Sequence, residues 1–69
     1  MAKELQAALT ILRRKQVEAR TGLSRSTIYL KISRGEFPSP ISLGARAVGW
    51  VDGDVAHWIS QRIKKVARR

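Results

Sequence analysis

The stretch GLSRSTIYLKISRGEFPSP, residues 22 to 40, leaves the chain little choice about one helix. Gly22 takes the left-handed conformation at little cost and so stops whatever helix precedes it. Two residues later Ser24 is an N-cap, with a hydroxyl able to accept from the amide of Ser26 or Thr27. Gly35 ends the new helix. The prolines at 38 and 40 forbid its resumption, because proline lacks an amide hydrogen and holds the residue before it extended. The segment predicts a helix from Arg25 to about Arg34, with Ile28 and Ile32 one turn apart on its buried side.

A helix that only filled a core would not need the outer face this one carries. With Ile28 set at zero and about 100° per residue, Ser26, Leu30 and Ser33 fall near the far side. Arg25 and Tyr29 then lie on one flank, and Lys31 and Arg34 on the other. No acid occurs from Ala19 to Gly35, whereas Arg20, Arg25, Lys31 and Arg34 all do. Leu30 stands out, because the wheel turns it outward and brings Lys31 nearer the core. Either the helix is rotated from this wheel, or Leu30 meets a thymine methyl or a neighbouring protomer.

Around that helix the chain reads as one small domain, since 69 residues close only a single core. Residues 1 to 10 form a flexible arm or a short helix, with Leu5, Ala8, Leu9 and Leu12 spaced as one helical face; TILR at 10 to 13 reads equally as a short strand. A helix from Arg14 or Lys15 to Thr21 turns Val17 inward. Val17, Leu23, Ile28 and Ile32 then share one core, which makes the pair a helix-turn-helix. Phe37 plugs the core beside the proline corner. ISL at 41 to 43 and AVGWV at 47 to 51 are the strands of a β-hairpin joined by GAR at 44 to 46. Asp52 caps a final helix, Asp54 suits its first turn, and Val55, Trp58, Ile59, Ile63 and Val66 make its apolar stripe. The expected architecture is mainly α with a small β-hairpin: helix, helix, strand, strand, helix over residues 11 to 66, ahead of a basic end at 67 to 69.

Charge narrows the function. Fourteen Lys and Arg against five acids give a formal +9, a field that attracts polyanions and nucleic acid above all. Anionic lipid and ribosomal RNA fit the charge as well. There is no cysteine, in keeping with a reducing cytoplasm, and no apolar run near the roughly 18 residues of a membrane span. An enzyme is not expected. His57 is the single histidine and falls on an outer helix face, Asp52 and Asp54 read as helix-start acids, and no metal or cofactor site assembles.

The outer face of residues 24 to 34 suits a DNA major groove. Serine is short enough for close approach, and arginine can make the bidentate contact to guanine that discriminates by about 1–3 kcal/mol. Backbone amides near Ser24 to Ser26 can hold a phosphate. Arg46, at the hairpin tip, has the position of a wing that reaches the neighbouring backbone or minor groove. Trp50 and Trp58 are expected in the core rather than stacked on bases. The cations Arg62, Lys64, Lys65, Arg68 and Arg69 either touch phosphate or complement the helix dipole.

Residues RTGLSRSTIYLKISRGEFPSPISLGARAVGW, followed by VAHWI, resemble the AlpA family of short prophage-associated regulators, within the wider group of excisionase-like winged helix-turn-helix domains. The resemblance covers about residues 11 to 63 and rests on GLSRSTIY, GEFP, SLG before Arg46, and GW before VAHWI. It implies a recognition helix from Ser24 to Arg34, with Arg25, Ser26, Thr27 and Tyr29 facing DNA and Arg46 in the wing. Leu30 and Lys31 stand in the reverse of the family's usual order. The resemblance further implies a transcriptional regulator that binds double-stranded DNA by an integrase gene, in the bacterial cytoplasm and nucleoid. RNA polymerase or integrase is its implied protein partner. An excision factor that bends DNA at attachment sites is the alternative, and a basic RNA-binding domain the more distant one. One such module buries only about 600–1,000 Å² on DNA, so cooperative self-association along the duplex is also expected. The full candidate set is Ser24, Arg25, Ser26, Thr27, Tyr29, Leu30, Lys31, Ser33, Arg34 and Arg46.

Overall fold

The computed structural model describes residues 9–67, without the side chains of residues 66 and 67. Leu5 and Ala8 of the N-terminal stripe, the Val66 side chain, and Arg68 and Arg69 lie outside the described residues. The elements run β1 (Ile11–Leu12), α1 (Arg14–Thr21), α2 (Arg25–Ser33), β2 (Ile41–Gly44), β3 (Ala47–Val51) and α3 (Asp52–Ala67). The fold is a helix-turn-helix with a wing, closed by a long last helix.

The strand reading of TILR is the one the structure adopts, and it turns the hairpin into a three-stranded antiparallel sheet of order β1-β3-β2. Leu12 stands opposite Trp50 and Ile11 opposite Val51; on the other edge Ile41 faces Gly49 and Ser42 faces Val48. A bulge between Ser42 and Gly44 twists the wing just before its turn. Gly49 is required by packing. A Cβ there would lie 2.5 Å from Ile11 Cγ2 and 3.0 Å from Leu43 Cδ1, because side chains of both flanking strands close over it.

Leu12, Val17, Ile28, Phe37, Trp50 and Val55 make the buried core, one each from β1, α1, α2, the proline corner, β3 and α3. Only β2 contributes nothing; all four of its residues are exposed, so the wing is held by its pairing with β3. Leu23, Ile32, Trp58 and Ile59 pack at the core margin. Both tryptophans serve packing, as expected. Trp50 is fully buried and its indole N–H donates to Pro38 O at 3.0 Å; the Trp58 indole N–H donates to Glu36 O at 2.8 Å. Phe37 meets Trp58 edge-on at 4.9 Å. The corner that prolines keep out of helix thus finds its carbonyl partners on two aromatic side chains.

Two expectations need correction. Asp52 does not cap α3 from a preceding loop. Strand β3 runs to Val51 and the helix starts at Asp52 itself; its amide donates to Thr10 O at 2.7 Å, and its buried carboxylate accepts from Arg20. The acid is taken up by a tertiary tie between α1 and α3. The apolar stripe of α3 also ends early: Val55, Trp58 and Ile59 are packed into or against the core, but Ile63 is 64% exposed among the described residues.

Candidate nucleic-acid interface

Helix α2 is held at its ends more than along its length. Ser24 Oγ accepts from the Thr27 amide at 3.2 Å and donates to Thr27 Oγ1 at 3.0 Å. At the other end Glu36 N–H reaches Lys31 O at 2.8 Å and Gly35 N–H reaches Ile32 O at 3.0 Å, with Gly35 at φ 71°; this is a Schellman stop. The turn before it rests on Gly22, at φ 74°, whose amide donates to Glu18 O. With both ends fixed by backbone chemistry, Ile28 is the single fully buried side chain α2 needs.

The remaining faces are open. Arg25, Ser26, Leu30, Ser33 and Arg34 are all exposed. Leu30 faces solvent as the wheel placed it, 49% exposed, and Lys31 is half-buried. Tyr29 is half in and half out: its ring stands edge-on to Trp50 at 6.3 Å, while the Arg25 guanidinium lies 5.9 Å from the ring centroid. Core packing thereby orients Tyr29, and Tyr29 in turn supports Arg25. Thr27 is turned partly inward toward the Ser24 hydroxyl, and Ser33 Oγ donates to Leu30 O at 2.6 Å. Those two hydroxyls have backbone or capping partners already, whereas Ser26 has none among the described residues. Arg34 lies past the helix, in the stop itself.

Arg46 sits at the wing turn with φ 65°, the only non-glycine residue in the left-handed region among those described. It helps line a concavity of about 490 Å³ with Arg13, Arg14, Lys15, Tyr29 and Val48. No acid lines it. Arg14 bonds Glu18 at 3.3 Å one turn along α1, but Arg13, Lys15 and Arg46 form no ion pair among the described residues. Sequence reasoning missed Arg13, Arg14 and Lys15 as neighbours of the recognition face. The run RRK directly after the apolar pair Ile11–Leu12 was the available signal.

No helix among the described residues is long and apolar enough to cross a membrane, and no cluster of three or more His, Cys, Asp or Glu there could hold a metal ion. Compared with known proteins, the chain is 48% identical over 52 residues to "Uncharacterized protein ORF88" of Enterobacteria phage P4, a match covering 75% of this chain and 59% of that protein. It is 35% identical to the DNA-binding transcriptional activator AlpA of Escherichia coli (strain K12), across 87% of this chain and 94% of that one. The family model described as prophage CP4-57 regulatory protein (AlpA) matches residues 10–63. That span runs from β1 through most of α3 and takes in the capped α2, the proline corner and the wing, so the chain belongs to the AlpA family.

Proposed function

We propose that the chain is a sequence-specific, duplex-DNA-binding transcriptional regulator of prophage type that acts at an integrase gene. Helix α2 enters the major groove, with Arg25, Ser26 and Leu30 toward base edges and Ser24, Lys31 and Arg34 toward the backbone; Thr27, Tyr29 and Ser33 shape the surface between them. The wing, through Arg46, meets the adjacent backbone or minor groove. The observation that carries this reading is the open face of α2, whose position is fixed by caps and one core isoleucine, so that its basic and hydroxyl side chains stay exposed. The Escherichia coli relative, named as a DNA-binding transcriptional activator, supports it.

A small footprint makes side-by-side copies on repeated sites, or contact with RNA polymerase or integrase, the route to useful occupancy. A gel-shift titration tests the reading by comparing the duplex upstream of the neighbouring integrase gene with random duplex and with structured RNA. The integrase duplex is expected to bind tightest. If four to six phosphates are neutralised, log K falls with log salt at a slope of about −4 to −5. Equal affinity for all three nucleic acids overturns the reading. An excision factor would dock the same way and differ by bending its site, which circularly permuted fragments report as a position-dependent mobility.

A further inference from the structure

We propose that the concavity between the start of α1 and the wing seats one phosphate of the DNA backbone, gripped from two sides by Arg13 and Lys15 and by Arg46. The inference rests on the DNA-binding reading above and assigns a contact that neither the recognition helix nor the wing makes alone.

Four observations converge on it. The cleft gathers four cations from two elements far apart in sequence, with no acid in its lining. Arg14 already has Glu18 as a partner, which leaves Arg13, Lys15 and Arg46 without a counter-charge among the described residues. Three like charges facing one hollow repel one another, and an anion placed between them removes that repulsion. A phosphate offers acceptor oxygens in several directions, so it can serve cations arriving from opposite walls at once. The apolar part of the lining, Val48 and the Tyr29 ring, suits the sugar attached to it. The Tyr29 hydroxyl has no hydrogen-bond partner among the described residues, so it is open to a further donor contact.

The wing backbone supplies an independent argument. Arg46 holds φ 65°, a conformation that glycine takes freely and that crowds the Cβ of a side-chain-bearing L-residue against its own backbone. Folding alone would favour glycine at that turn; the long cation is useful there only for what it reaches. Because Arg25 leans on the same Tyr29 ring that walls the cleft, the phosphate seat adjoins the reading flank of α2. Helix and wing are thereby tied to one strand at a fixed separation.

The test uses the full chain, the duplex preferred in the gel shift, and a set of duplexes each carrying one neutral methylphosphonate in place of a phosphate. One position is expected to weaken the wild-type protein by about tenfold, the loss of a single charge-assisted contact. An Arg13→Gln, Arg46→Gly double variant should bind the unmodified duplex at least about tenfold more weakly and reduce the magnitude of the salt slope by about 1, the share of one phosphate. It should also respond by less than about twofold to the methylphosphonate at that same position. Gln61→Ala, on the exposed part of α3, should keep the full tenfold response. The Arg46→Gly change relieves the left-handed strain, so the variant is expected to melt no lower than the wild type, which separates lost contact from lost fold. Variant and wild type responding alike at every position overturns the cleft and leaves the DNA-binding reading standing. A wild-type protein that prefers no duplex overturns that reading, and the cleft with it.

Discussion

Helices α2 and α3 carry apolar residues at similar spacing and use them in opposite ways. Helix α3 has 16 residues and is held by what it covers: Val55, Trp58 and Ile59 against the core, and Asp52 tied to Arg20. Helix α2 has nine residues, buries one completely and is held by what flanks it: the Gly22 corner, the Ser24 cap and the Gly35 stop. A helix fixed by side-chain burial gives its surface away to the protein. One fixed at its ends keeps most of its surface for something else.

The largest way to break this contrast is to remove the residue both helices lean on. Trp50 is fully buried, meets Tyr29 of α2 edge-on, and ties its indole N–H to Pro38 in the corner that follows α2. Trp50→Ala is expected to cost about 3–5 kcal/mol, comparable to the whole stability of so small a domain. Far-UV circular dichroism at 25 °C should show a largely unfolded chain. A cooperative melt within a few degrees of wild type would mean the core is organised around some other residue.

The contrast sharpens at Arg25, where the expectation is a functional loss without a structural one. Its side chain is exposed and, among the described residues, its one interaction is with the Tyr29 ring. Arg25→Ala should lower discrimination by about 1–3 kcal/mol at one base pair and leave the others unchanged, while the melting temperature stays within about a degree or two. Competition gel shifts against single-base-pair variants of the preferred duplex measure it. A uniform loss over every sequence would demote Arg25 to a backbone contact.

Ser24 separates the two ways of holding a helix. Its hydroxyl carries the cap of α2, so Ser24→Ala is expected to destabilise the domain by about 1 kcal/mol. In a helix secured by burial that change would pass almost unnoticed. Chemical denaturation read by tryptophan fluorescence gives the number, and a change below about 0.3 kcal/mol would show that Ile28 alone fixes α2.

These differences decide what was legible in advance. The bounds of α2, the Gly22 corner and the exposure of Leu30 follow from capping, left-handed glycine and the helical period, all of which act over a few residues. The hairpin was readable from alternation and its turn, and β1 stood in the sequence as one of two open readings. What escaped depends on distant partners. Periodicity says which side of α3 is apolar but not how far its neighbours extend, so Ile63 looked covered. Asp52 looked like a cap because its true partner, Arg20, lies 32 residues away in the chain. The need for glycine at 49 comes from Ile11 and Leu43, which close over it from the two flanking strands and lie 38 and 6 residues away in the chain. The RRK run at 13 to 15 meets Arg46 only through the fold, which brings the wing turn across from it.

The smallest expected effect is also the most discriminating, because it compares two exposed apolar residues, one on each helix. Leu30 and Ile63 are 49% and 64% exposed, so neither contributes much to the core. Leu30→Gln and Ile63→Gln keep good helix formers and should each change stability by less than about 0.5 kcal/mol. On stability alone the two positions are indistinguishable. On DNA they should part, since Leu30 lies on the open face between Ser26 and Ser33 where a thymine methyl would pack, whereas Ile63 lies beyond the last contact of α3 with the core. Affinity for the preferred duplex should fall for Leu30→Gln by a few-fold, about 1 kcal/mol, with the loss concentrated at one A·T pair. It should stay unchanged for Ile63→Gln on a single-site duplex. The reverse result, with Ile63 mattering and Leu30 silent, would move the interface from α2 to α3.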